Sequence, residues 1–179
     1  FYEMFQEAAT ASGLDYAKLD QEYCYSFVLC HPENRIVMNH TEPKLVHIAT
    51  RSMITLSECD QDIGIEQPLV MKMDFDTFQE RLKTNVWYFA GYVIKTKYKF
   101  EDGPEVTSYK RTVVECDSYL KVKAIKGNCR DPVYRYLQLQ REDTAKFTEF
   151  CTYYPEYQWV DMQLESLARE AHRMYMDFF

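Results

Sequence analysis

The chain has 179 residues, with 21 lysines and arginines against 28 aspartates and glutamates, a formal net charge of −7, and 46% apolar residues. That composition excludes a disordered chain, and the net acidity argues against a protein that coats nucleic acid with its whole surface. No apolar run reaches the ~18 residues a membrane span needs, so no membrane partner is expected.

The length fits one domain, or one with a small appendage, able to bury a core without disulfide or metal staples. The chain opens on Phe1 and shows no signal peptide, which leaves a place for an upstream segment.

In chain order, residues 2–12 read as a helix with Met4, Phe5 and Ala8 on one stripe and Gly13 as its stop. Residues 23–29 read as a strand, Pro32, Glu33 and Asn34 as a turn, residues 35–38 as the start of the returning strand, and residues 44–50 as the next. Residues 55–70 are polar and irregular; residues 76–83 form a short helix capped by Asp74 or Asp76. Residues 91–100 form a strong strand, residues 101–104 a turn, and residues 106–115 and 118–125 two more strands. Helices follow at 132–140, 144–153 and 159–178, the last amphipathic through Met162, Leu164, Leu167, Ala171 and Tyr175. Strands first and helices last predict an α+β fold, divided into a sheet domain over 1–127 and a helical segment over 128–179.

Cys24, Cys30, Cys59, Cys116, Cys129 and Cys151 form no C-x-x-C pair, and buried thiols in a reduced intracellular compartment are expected. Cys30 beside His31 does not make a nucleophile pair, because adjacent strand residues point to opposite faces. The four histidines lack ligand spacing, so no metal site is predicted.

Charge is unevenly spread. Residues 1–90 carry 7 basic against 14 acidic groups, whereas residues 95–135 carry 10 against 6, a local +4. In that stretch Lys95, Lys97 and Lys99 alternate along one strand, so they share a face. Such a face is either solvated or a groove for phosphates, with Lys95, Lys97 and Lys126 as candidate RNA contacts.

Three segments carry a family likeness. They are YSFVLCHPENRIV at 25–37, AGYVIKTK at 90–97 and SYLKVKAI at 118–125. Together they resemble the phage-type ATP-dependent RNA ligases of the covalent nucleotidyltransferase superfamily, above all the RNA ligase-like proteins of large DNA viruses. Pro32, Asn34, Arg35, Ile36 and Val37 match the third motif of that family, Gly91, Tyr92 and Val93 the fourth, and Lys121 and Lys123 a K-x-K strand, the fifth. Residues 147–156 look like the helical C-terminal part of the viral relatives. The resemblance implies a nucleotidyltransferase-type sheet domain with a helical tail. It also implies RNA or nucleotide phosphate as partner, ATP and Mg as cofactors if the protein is active, and a host cytoplasm or virion setting.

The departures are equally specific. The nucleophile of that family is the lysine of Lys-x-x-Gly. The residues three before the five glycines are Thr10, Gln61, Tyr88, Phe100 and Ala124, so the motif has its place upstream of Phe1. Val28 and Ala90 stand where the family has carboxylates, and neither offers an oxygen ligand to a divalent cation. Losing one such preorganised group lowers a rate by at least ~100-fold. Glu22, Glu115 and Asp117 are the candidate replacements. No catalytic residue is assigned.

The resemblance therefore implies a degenerate ligase-like protein that keeps Lys121 and Lys123 on one strand face as phosphate contacts. On their own, two lysines there equally describe a solvated edge strand. The alternatives are part of an active ligase whose lysine lies upstream, and a structural component of a virus particle with a protein partner.

Overall fold

A computed structural model describes residues 1–98, 108–129 and 131–178. The chain divides into two compact units, Phe1–Tyr119 and Leu120–Phe179. Among the described residues the fold is α+β, with antiparallel sheets of three and two strands.

In the first unit α1 (Tyr2–Ala11) ends where Gly13 takes φ +73° and donates to the Thr10 carbonyl. It packs Ala8 and Ala9 against Leu14, Leu45 and Ile65, with Phe5, Phe27 and Leu29 at the margin. Burying a leucine such as Leu45 contributes about 1.5–3 kcal/mol. Strand β1 (Tyr23–Cys30) pairs antiparallel with β2 (Lys44–Ser52) from Tyr23 opposite Ser52 to Cys30 opposite Lys44. The register slips at Ser26 and Phe27, leaving Ile48 as an extra residue on β2. That bulge re-phases the alternation, so Leu45, His47 and Thr50 all turn inward. His47 Nε2 meets Thr50 Oγ1 at 2.8 Å, and its Nδ1 has no partner among the described residues.

Strand β3 is only Glu58–Cys59, paired with Thr50 and Arg51 of β2. It lies inside the stretch expected to be wholly irregular. Helix α2 (Phe75–Thr84) is capped by Asp74, whose Oδ1 accepts from Thr77 N at 2.9 Å. Strands β4 (Gly91–Tyr98) and β5 (Ser108–Glu115) form the second sheet, from Gly91 opposite Glu115 to Tyr98 opposite Ser108. The turn expected at 101–104, and Lys99, lie outside the described residues.

Two expected strands do not form. Residues 35–38 follow the turn at Pro32 and Glu33 as irregular backbone, with Val37 buried and Ile36 and Met38 exposed. The antiparallel partner that follows β1 is instead Lys44–Ser52, paired with it over its whole length. Residues 118–125 belong to α3 (Asp117–Lys126). The alternation of Lys121, Val122, Lys123 and Ala124 has a strand's period. Cys116, Tyr119, Val122 and Ile125, however, recur every three residues, and all are buried. The helical period wins because it is the one that removes apolar surface from water.

The second unit holds α4 (Pro132–Glu142), α5 (Thr144–Tyr153) and α6 (Trp159–Phe178). Asp143 ends α4 and caps α5, accepting from Lys146 N at 3.0 Å. Tyr136, Phe150 and Tyr154 are the buried aromatic centre. The Tyr136 hydroxyl donates to Asp161 Oδ2 at 2.6 Å, fixing the first turn of α6, and burial together with that carboxylate holds the phenol's pKa well above its usual range. No helix among the described residues is long and apolar enough to cross a membrane.

Gly91 is required by backbone geometry. It sits at φ +149°, and a Cβ there would collide with the Val114 carbonyl oxygen and lie 2.8 Å from Glu115 Cα. Gly91→Ala is expected to destabilise the protein by at least about 2 kcal/mol, from a strained φ plus a backbone clash. Chemical denaturation checks this; an unchanged midpoint would contradict the close approach.

Candidate phosphate-binding face

The β4–β5 register sorts the basic groups. Residues two apart on a strand share a face. Lys95 and Lys97 therefore lie on one side of the ribbon, with their cross-strand partners Arg111 and Tyr109. Lys110 lies on the other side, opposite Thr96. The expected sharing of a face by Lys95 and Lys97 is present, and Arg111 joins them from the next strand.

Two cations directly opposite each other across an antiparallel pair repel. Glu58 resolves that conflict. Its Oε1 lies 2.7 Å from Lys95 Nζ and 2.5 Å from Arg111 Nη2. The carboxylate is almost wholly withdrawn from water, its side chain 3% exposed, while the lysine is 39% and the arginine 28% exposed. An isolated carboxylate so buried would be strongly unfavourable; two charge-assisted contacts offset its desolvation. Lys95 Nζ also sits 4.1 Å from the centre of the Tyr109 ring, a cation–π contact.

Burial raises the pKa of Glu58, but the hydrogen bonds and charges of Arg111 and Lys95 outweigh it, so the carboxyl titrates below its ordinary value of 4.5. Lys95, Lys97 and Arg111 against Glu58 leave this end of the ribbon at +2. Glu115 has the same parity at the far end, opposite Gly91.

The remaining candidates are placed differently. Lys121, Lys123 and Lys126 are on α3, where residues two apart point about 200° from each other. Lys121 and Lys123 therefore flank buried Val122 on opposite sides and do not form the expected strand-face pair. Lys121 Nζ meets Glu149 Oε1 at 2.8 Å, and that hydrogen bond and charge raise its pKa. Lys123 and Lys126 occupy the last turn of α3, where cations complement the helix dipole. Arg130 lies outside the described residues.

Val28 is exposed on β1, and Ala90 is exposed with its carbonyl accepting from Cys116 N at 2.9 Å. Asn34 N donates to the His31 carbonyl at 3.0 Å, and Arg35 Nε lies 3.5 Å from the Val37 carbonyl. Buried His31 accepts from Glu33 N at Nδ1, so its Nε2–H donates to Glu7 Oε2 at 3.0 Å. Burial raises the Cys30 thiol, the opposite of an activated nucleophile.

An open groove of about 380 Å³ lies elsewhere in the first unit, lined by Ser12, Glu42, Lys44 and Glu66 among others. Lys44 is paired with Glu66 at 3.1 Å, so the groove presents more carboxylate than ammonium and does not suit a phosphate.

Glu58 is the residue that the sequence hid. One acid between Ser57 and Cys59 has no motif around it, and only the fold brings it under the ribbon. Comparison of the chain with known protein families, characterised proteins and solved structures yields no match.

A carboxylate whose folded pKa lies below its unfolded value stabilises the fold above the unfolded value and loses that contribution as pH falls through the folded one. Stability should therefore decline as pH drops below about 4.5. Glu58→Gln should flatten that limb in denaturant midpoints measured across this range. Parallel pH curves for the two proteins would contradict the ion-pair account.

Proposed function

We propose that the chain is a catalytically degenerate, RNA ligase-like domain that binds single-stranded RNA through the face carrying Lys95, Lys97, Tyr109 and Arg111. The single observation that carries the reading is this face itself: three cations and an aromatic ring brought together on one side of a two-stranded ribbon. Cations tracking a phosphate backbone beside a ring for stacking are the two elements of sequence-tolerant single-strand binding. RNA is favoured as the nucleic acid by the likeness of residues 32–37 and 91–93 to the ligase motifs. The degenerate character rests on Val28 and Ala90, which stand at the family's carboxylate positions. The K-x-K strand no longer contributes, because Lys121 and Lys123 are helical.

A uridine oligonucleotide of about ten residues is a suitable probe. Lys97→Ala combined with Tyr109→Ala should weaken its binding at least tenfold, since stacking alone contributes about 1–3 kcal/mol per base. Three phosphate contacts give a log–log salt slope of about −2. Titration followed by fluorescence anisotropy checks both. Loss of binding in Lys121→Ala/Lys123→Ala, with the ribbon variant unaffected, would move the site to α3 and contradict the proposal.

A second reading, a structural component with a protein partner, draws on α6. Leu164, Leu167, Ala171, Met174 and Phe178 follow four-three spacing and are all exposed. Leu167→Glu would abolish any self-association seen by sedimentation velocity; a monomer at every concentration speaks against contact between copies.

A further inference from the structure

The face contains its own anion. Glu58 Oε1 is held between two cations that approach from neighbouring strands, at 2.7 Å from Lys95 Nζ and 2.5 Å from Arg111 Nη2. One oxygen shared by an ammonium and a guanidinium is the geometry with which proteins hold a phosphate oxygen. The carboxylate sits on the inner side and is buried, while both cations keep an exposed flank. It is anchored by β3, a strand of two residues paired with Thr50 and Arg51 of β2. Lysine carries three donors and arginine five, so donors beyond those used on Glu58 remain on each.

We infer that Glu58 is an internal counter-anion, taking in the free protein the place between Lys95 and Arg111 that a phosphodiester oxygen takes in the complex. This rests on the RNA-binding reading of the same face and adds its regulation. RNA has to compete with a tethered carboxylate, so only a ligand with several linked phosphates displaces it. The device also explains how a ribbon with two opposed cations stays folded when no ligand is bound: the carboxylate screens a repulsion that the phosphate later screens in its place.

The test compares native protein with Glu58→Gln, using a uridine oligonucleotide and, separately, inorganic orthophosphate. Glutamine keeps the size and removes the charge, and the cations left behind are partly exposed, so they are not stranded in the interior. The variant should bind the oligonucleotide about tenfold more tightly, with the salt slope unchanged at about −2, because competition is removed while the complex keeps the same three phosphate contacts. A gain with orthophosphate as large as that with RNA would assign the clamp to free phosphate and overturn the linked-phosphate requirement. Equal or weaker RNA binding by Glu58→Gln, with the Lys97 and Tyr109 dependence intact, would overturn the counter-anion and leave the binding face standing. Failure of every protein to bind RNA would overturn both.

A second measurement covers the case in which Glu58→Gln does not fold. In native protein the side-chain carboxyl carbon resonance of Glu58 should shift on RNA addition and saturate with binding. A resonance unmoved at saturation would overturn the inference.

Discussion

Lys95 and Arg111 stand directly opposite each other on β4 and β5, two positive charges where an antiparallel pair brings side chains closest. The ribbon they occupy has only two strands, and such a hairpin is marginal in water without something packed against it. Glu58 supplies the missing term. From β3, the edge of the three-stranded sheet, it reaches the face of the two-stranded one and neutralises the repulsion. Through this contact the charge of the ribbon is tied to the sheet built on α1, β1 and β2. The charge of this face and its attachment to the three-stranded sheet thus rest on the same three side chains.

Much of the scaffold was readable from local signals. Asp74 marks the start of α2 through capping chemistry that acts within one turn, and the three helices after residue 130 follow the expected spans closely. The alternation in β4 correctly placed Lys95 and Lys97 on one face. The failures came where two periods compete or where a long-range partner decides. Around Lys121 a strand-like alternation overlies a buried stripe of Tyr119, Val122 and Ile125, and burial selected the helix. Residues 35–38 form no strand, and the strand that returns along β1 is Lys44–Ser52. Glu58 could not be recognised at all, because its partners are 37 and 53 residues away and nothing in its neighbours signals them.

The α3 helix also changes which basic residues lie on one face. A phosphate pair on one strand face was the strongest local argument for Lys121 and Lys123. On a helix the two diverge, and one is engaged with Glu149. Among the described residues, Lys95, Lys97 and Arg111 share one ribbon face in the first unit, and Lys121, Lys123 and Lys126 are helix residues that complement a dipole or an acidic neighbour. An acidic protein can still present one basic face, since attraction of a polyanion within a Debye length depends on local charge more than on the net value.

The most direct measurement of the central claim is photo-crosslinking of the native protein to a uridine oligonucleotide, with the attached peptides identified by mass spectrometry. The account predicts that the crosslink falls on β5 at Tyr109. A crosslink confined to peptides of α3, with β4 and β5 unmodified, would contradict it.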